Sequence, residues 1–111
     1  MNERRNEIYL ALVEFADKPV EKLRPVVVIS RNSYNEKHPD LVVCAVTTNS
    51  SGDCFIPLES KYLAEGEFFE ESGVRYDGIQ RMSKQRMRRK IGKITDEYHK
   101  KILDKIVELI Q

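Results

Sequence analysis

Three short stretches of this sequence place polar side chains where they could do chemistry. Arg24 precedes Pro25, which restricts it to an extended backbone and gives its guanidinium group a defined direction, although such an arginine is often an ordinary solvated charge. Thr47 stands where an apolar run ends. Arg75 and Asp77 are two residues apart in a predicted strand, so both side chains leave the same face. Such a pair is either a surface ion pair or an acid–base group and an electrophile that face a substrate, and the spacing alone favours the ion pair.

The segment from Arg81 to Lys90 is strongly basic and contains no acid, in a chain of 111 residues whose net charge is only +1. Its cationic residues are Arg81, Lys84, Arg86, Arg88, Arg89 and Lys90, and Lys93 follows shortly after the segment. Basic runs are usually solvated faces, but a dense run without acids is also typical of a surface that binds phosphates. The run alone does not decide between the two interpretations.

The elements that must position these residues are mostly strands. The run from Leu23 to Ser30 is apolar and rich in β-branched residues, which predicts a central strand buried on both faces, with Arg24 at its entrance. Ile8 to Phe15 is a first strand, broken by residues 16–19 and followed by a polar connector at 20–22. A third strand, Leu41 to Val46, is predicted to form a hairpin with a fourth, Asp53 to Leu58, in which Pro57 indicates an edge.

The rest of the chain predicts one long helix and shorter elements. Residues 31–40 form a loop with a short helical turn, Gly73 to Gly78 a short strand, and Ile91 to Ile94 a last strand. From Thr95, a capping residue, apolar residues recur at helical spacing: Tyr98, Ile102, Ile106, Leu109 and Ile110. The acidic segment 59–71 contains either a helical turn or a loose excursion. The fold class is therefore α+β and mainly β, in a single domain over residues 1–111.

Cys44 and Cys54 are expected to be free thiols. In the predicted hairpin they lie about three residues out of register, which exceeds the Cα separation of a disulfide. Their spacing matches no zinc site, and His38 and His99 lie elsewhere, so no metal or other cofactor is expected. No secretory signal or membrane-spanning run is evident, which predicts a cytoplasmic protein.

In its order of motifs the chain resembles the MazF/PemK-type endoribonuclease toxins of bacterial toxin–antitoxin pairs. The motifs are Asn6-Glu7-Ile8-Tyr9, Arg24-Pro25 with the strand up to Ser30, Ala45-Val46-Thr47-Thr48, Val74-Arg75-Tyr76-Asp77 and Lys90-Ile91-Gly92-Lys93-Ile94. The resemblance implies a small SH3-like β-barrel with a C-terminal amphipathic helix. It also implies a homodimer that cleaves single-stranded RNA without a metal and is inhibited by a cognate antitoxin.

By the same resemblance, Arg24 acts at the scissile phosphate and Thr47 is the active-site threonine. Arg75 and Asp77 match a pair used by one branch of the family, with the carboxylate as base and the arginine as acid. The chemistry is reasonable because RNA carries its own nucleophile, the 2′-hydroxyl, and the expected product is a 2′,3′-cyclic phosphate. The residues expected to bind the RNA are Thr48, Asn49, Gln80, Arg81, Lys84 and Arg86.

Two features depart from the family pattern, and two other functions are compatible with the sequence. The segment from Ala16 to Leu23 is shorter than the usual loop and lacks glycine, and Gly78 stands where relatives often have glutamine. A related toxin type with this fold inhibits DNA gyrase through its terminal helix and does not need Arg24 and Thr47. A catalytically silent RNA-binding module would need only the basic segment.

Overall fold

The fold is described for residues 2–15, 18–68 and 71–111 of a computed structural model. The strands are β1 (Glu7–Phe15), β2 (Lys18–Val28), β3 (Asp40–Thr47), β4 (Phe55–Pro57), β5 (Leu63–Glu65), β6 (Gly73–Ser83) and β7 (Met87–Ile94). The helices are α1 (Asn32–Lys37) and α2 (Asp96–Ile110), with 3₁₀ turns at Ser60–Tyr62 and Lys84–Arg86. The strands pair antiparallel in one seven-stranded sheet of order β4-β6-β3-β2-β1-β7-β5. The predicted mainly β fold with a C-terminal helix is confirmed, although β4 and β5 leave the sheet two edges.

Strand β2 lies fourth of the seven strands, and Val26–Val28 are buried on both faces, as predicted, whereas Leu23 is 48% exposed. Val27 packs into one apolar cluster, while its neighbours Val26 and Val28 pack into the other. The predicted start of the strand was wrong, because β2 pairs with β1 as far back as Lys18. Arg24 therefore lies inside the strand, opposite Ala11, rather than at its entrance. Backbone pairing carries the strand through polar residues 20–22, which were expected to form a connector.

The predicted hairpin between the third and fourth strands was wrong, because β6 lies between β3 and β4. Strand β6 pairs with β3 from Asp40, opposite Ser83, to Thr47, opposite Gly73. The three residues of β4 would satisfy far fewer backbone groups of β3, so the longer strand takes that position. The edge position suggested by Pro57 is confirmed, because β4 pairs only with β6 among the described strands.

The basic segment belongs to two strands rather than to a separate surface loop. Strand β6 continues five residues past its predicted end at Gly78, and β7 begins at Met87 rather than at Ile91. Met82 and Met87 in this segment are each only 5% exposed and pack into the cluster of Val26 and Val28. The predicted boundaries were wrong because the two buried methionines are separated by four polar residues, Ser83 to Arg86, and show no strand alternation.

Helix α2 begins where predicted and covers one face of the sheet. The Thr95 side chain accepts a hydrogen bond from the backbone N–H of Tyr98 at 3.2 Å, an N-cap interaction that stabilises a helix start. Tyr98 and Ile102 are fully buried against the cluster that contains Val27. Leu109 and Ile110, which were assigned to the same apolar face, are 48% and 74% exposed, so the end of the predicted apolar face is not buried. No described helix is long and apolar enough to cross a membrane.

The acidic segment that sequence left unassigned contains the 3₁₀ turn and β5. Strand β5 pairs with β7, with Leu63 opposite Ile94. Gly66, at φ +90°, brings the chain so close to β7 that a Cβ atom there would lie 2.4 Å from the Ile91 carbonyl oxygen. The segment is thereby held against the sheet beside Arg24.

Both cysteines are free, as predicted, but the reason is different. Strand β6 separates them, with Ile79 opposite Cys44 and the Tyr76 N–H bonded to the Cys54 carbonyl oxygen. Burial, and secondarily the charge of Asp77, raises the pKa of the Cys44 thiol to about 12. Cys44 is therefore an unreactive core residue at neutral pH.

Candidate functional site

Arg24, Thr47 and Thr48 line one cleft of about 580 Å³. The pairing of β2 with β3 covers Val26–Val28 opposite Val43–Ala45, so Arg24 lies two residues before the paired part of β2 and Thr47 two residues after that of β3. Both residues line the cleft, which therefore contains a guanidinium group and a hydroxyl group. Its remaining lining is mostly apolar: Leu10, Pro25, Val46, Phe68, Ser72 and Ile91.

The turn after β3 fixes the Thr47 hydroxyl group. Its oxygen accepts a hydrogen bond from the Asn49 N–H at 3.1 Å, and the Asn49 side-chain oxygen accepts one from the Ser51 N–H at 3.0 Å. The hydroxyl hydrogen of Thr47 can therefore still be donated to a ligand. The side-chain oxygen of Asn49, a predicted RNA contact, is engaged within this turn, whereas Thr48 is exposed.

Arg75 and Asp77 form the ion pair that their spacing favoured. The Arg75 Nε and Asp77 Oδ1 atoms are 3.3 Å apart, and a second bond joins Nη2 to Oδ2 at 3.4 Å. The side chains are 32% and 38% exposed, so a ligand can reach both. The hydrogen bond and charge of Asp77 raise the pKa of Arg75, with smaller contributions from Cys54 and Asp53.

This pair lies beside the cleft rather than in it. In the pairing of β3 with β6, Arg75 lies opposite Ala45 and Gly73 lies opposite Thr47. Ala45 and Thr47 are two residues apart in β3, so Arg75 and Thr47 lie on the same face of the sheet. As diagonal neighbours on adjacent strands, Thr47 and Arg75 are about 8 Å apart, a distance that a long arginine side chain bridges when it reaches a phosphate in the cleft. The register shift between Arg75 and Ile79 leaves residues 76–78 without partners on β3, so Asp77 is not fixed by that ladder.

Three of the other predicted RNA-binding residues line a second cleft of about 430 Å³. Gln80, Arg81 and Arg86 line it, and Gln80 is opposite Val43 on β3. Val43 is four residues from Thr47, so the second cleft lies about 13 Å from the first along the strand. Lys84 does not line either cleft; its Nζ atom donates to the Asn35 carbonyl oxygen and fastens β6 to α1.

The basic segment is not a free cationic surface, because acids from other strands pair with it. Arg86 contacts Glu14 at 3.1 Å and Glu21 at 3.0 Å, which raises its pKa. Lys90 is paired similarly with Glu7 and Glu65, and Arg81 lies 3.4 Å from Asp40. Among the described residues, Arg89 and Lys93 form no ion pair.

Phe68 and Ser72 are site residues that the sequence did not indicate. Both line the cleft of Arg24 and Thr47, and both lie at the end of the acidic segment that had no assigned structure. The aromatic residues of that segment were an available signal, but nothing in their spacing pointed to Arg24. Among the described residues, no three His, Cys, Asp or Glu side chains are grouped so that they could hold a metal ion.

A curved antiparallel sheet with a terminal helix and an arginine–threonine cleft fits a small protein that binds phosphate-bearing ligands. The sequence profile of PemK-like, MazF-like toxins of type II toxin–antitoxin systems matches residues 4–110. The chain belongs to this family. Comparison with curated proteins gives no match.

Solved structures of similar fold include several toxins. An endoribonuclease from a mycobacterial species has a TM-score of 0.77 at 16% identity, over 99% of this chain and 92% of that one. The Mycobacterium tuberculosis toxin MazF-mt6 has a TM-score of 0.71 at 21% identity, over 90% and 91%. A MazE–MazF structure from Deinococcus radiodurans has a TM-score of 0.78 at 17% identity, over 99% and 96%. At these identities the likeness shows the shared fold.

Proposed function

We propose that this protein is a sequence-specific, metal-independent endoribonuclease toxin that cleaves single-stranded RNA in the cytoplasm. The observation that carries the proposal is that Arg24 and Thr47 line the same cleft. A guanidinium group and a hydroxyl donor together suit a phosphate whose charge grows in the transition state.

In the proposed reaction the RNA 2′-oxygen attacks the adjacent phosphorus atom and the bond from phosphorus to the 5′-oxygen breaks. Asp77 takes the proton of the 2′-hydroxyl group, and Arg24 and Thr47 bind the phosphate oxygens. Arg75 supplies a proton to the departing 5′-oxygen. The products are a 2′,3′-cyclic phosphate and a 5′-hydroxyl group.

The Arg75–Asp77 ion pair couples the two proton transfers. The carboxylate of Asp77 is the main cause of the raised pKa of Arg75, so it holds the proton on the guanidinium group. When Asp77 accepts the 2′-hydroxyl proton its charge is neutralised, and Arg75 becomes a better proton donor. Arg75 can also contribute by charge alone, bound to the phosphate beside Arg24.

The test is incubation of the purified protein with a long single-stranded RNA in the presence of EDTA. We expect cleavage to a limited set of fragments with 5′-hydroxyl and cyclic phosphate ends, because every proposed catalytic group is a side chain. End-group analysis of the fragments checks the chemistry. RNA that stays intact, or cleavage that needs an added divalent cation, would contradict the proposal.

The proposed partners are a second copy of this chain and a cognate antitoxin. The solved complexes of similar fold include an endoribonuclease with its cognate antitoxin and MazE with MazF. We expect an acidic antitoxin segment to cover the two clefts, because they contain the exposed cationic groups that RNA needs. The complex should therefore cleave RNA at least about 100-fold more slowly than the free toxin at matched concentration; equal rates would exclude this mode of inhibition.

A second candidate function is favoured by the terminal helix. Leu103, Val107 and Ile110 of α2 are 41%, 53% and 74% exposed, and their spacing places them on one helical face. An apolar helix face suits protein contact, as in toxins that act on a protein target. In the EDTA assay this function predicts neither cleavage nor RNA binding, whereas a silent RNA-binding module predicts binding without cleavage.

A further inference from the structure

A second cavity adjoins the cleft of Arg24 and Thr47 and is chemically unlike it. It measures about 470 Å³ and shares Thr48 and Ser72 with the cleft. Its other lining residues are Ser50, Phe55, Pro57, Leu58, Glu59 and Glu71. We call this cavity the base pocket. Its described lining contains no lysine or arginine, so it does not suit a phosphate, whereas a neutral group with hydrogen-bond donors would be favoured there.

The pocket has an aromatic side chain held in place by the sheet. Phe55 pairs across β4 and β6 with Arg75, and its ring lies over Gly73, where a Cβ atom would be 2.3 Å from the ring. The Leu58 N–H donates to the Ser72 carbonyl oxygen at 2.9 Å, which ties β4 to the chain just before β6. Unpaired RNA bases are commonly bound by stacking on such aromatic rings and by hydrogen bonds to their Watson–Crick edges.

The polar groups of the pocket are two carboxylates and three hydroxyl groups. Glu59 is already paired with Lys61 at 3.6 Å, whereas Glu71 forms no hydrogen bond or ion pair with the described residues. A carboxylate is an acceptor, while the hydroxyl groups of Thr48, Ser50 and Ser72 can donate. Guanine carries two adjacent donors, N1–H and the N2 amine, beside the O6 acceptor. Cytosine, adenine and uracil offer at most one such donor group.

We propose that the base pocket binds a guanine next to the scissile phosphate, with Glu71 as the residue that determines specificity. The inference rests on the proposed function in taking RNA as the ligand. Because the pocket and the cleft share Thr48 and Ser72, the guanosine is a nucleotide that flanks the phosphate held by Arg24. The carboxylate accepts from N1–H and N2–H, and a hydroxyl group donates to O6.

The test measures binding of fluorescent 2′-fluoro heptamers, three uridines on each side of a central G, inosine, A, C or U. These probes lack the nucleophile, so binding is measured without cleavage. We expect the G probe to bind at least about 10-fold more tightly than the inosine probe, which lacks only the N2 amine, because that amine bonds to a charged acceptor. In Glu71→Gln the ratio of the two dissociation constants should fall to about 1.

The matched control is Glu67→Gln, which removes an acid that lines the neighbouring cavity beside Phe68 but not the base pocket, whereas Glu71 lines both. It should strengthen binding of all probes by a similar factor, through lost repulsion, and so keep the preference for G over inosine. The proposal that the base pocket binds guanine through Glu71 would be wrong if the unmodified protein bound G and inosine equally, or if the ratio of the two dissociation constants were unchanged in Glu71→Gln. Cleavage of the all-ribose G heptamer reports separately on the nuclease, so the two proposals can fail independently.

Discussion

Replacement of Arg24 by alanine or by lysine is expected to lower the rate of RNA cleavage at least about 100-fold, the usual cost of removing one preorganised donor to a transition-state charge. Lysine keeps the charge but cannot make the two parallel N–H bonds of a guanidinium group to a phosphate. The side chain is exposed, so the melting temperature should change little. Single-turnover cleavage of a defined RNA, with thermal unfolding of each variant, measures both effects.

Arg89→Lys is the matched control for this prediction. Arg89 is an exposed arginine of β7 that lines neither cleft. The control should cleave RNA within about twofold of the unmodified protein, because it changes one solvated cation into another. If Arg24→Lys were as active as Arg89→Lys, Arg24 would be a source of charge only, and its proposed bidentate contact with the scissile phosphate would be wrong.

Asp77→Asn is expected to lower the chemical step about 100-fold or more while RNA affinity is retained. Asparagine keeps the shape of the side chain and can still accept a bond from Arg75, but it cannot take up the 2′-hydroxyl proton. Single-turnover cleavage measures the chemical step, and binding of an RNA that lacks the 2′-hydroxyl nucleophile measures the affinity.

Asp53→Asn provides the comparison for the loss of a charge near Arg75. Asp53 contributes to the raised pKa of Arg75 through its charge but does not bond to it, so this variant should cleave RNA at nearly the normal rate. If Asp77→Asn cleaved at nearly the normal rate while Thr47→Ala and Arg24→Ala were inactive, Asp77 would only orient Arg75. The reaction would then depend on Arg24 and Thr47.

The elements with strong periodicity could be predicted from sequence, whereas their pairing could not. Val26 to Val28 and the Thr95 cap correctly indicated a central strand and a terminal helix, because burial and capping are local signals. The neighbours of β3 depend instead on which strand offers the longer ladder. The short turn at Ser51-Gly52 suggested a hairpin, but β6, more than twenty residues further along the chain, satisfies more backbone groups.

Only part of the candidate site could be predicted from the sequence. The resemblance indicated Arg24 and Thr47, and both line one cleft in the structure. The ion pairs of Arg81, Arg86 and Lys90 were invisible because their acids, such as Glu14 and Glu65, lie far away in the sequence. The density of basic residues in this segment therefore did not show that several of them are paired with acids.

The order in which strands pair has a consequence for the timing of synthesis. The cleft needs Arg24, Thr47 and Ser72, and also Ile91 of β7, while β1 at the start of the chain pairs with β7 near its end. Such long-range pairs form only after the later strand has left the ribosome. A nascent chain therefore has no assembled cleft until synthesis is nearly complete, and the messenger being translated is not exposed to a working site on its own unfinished product.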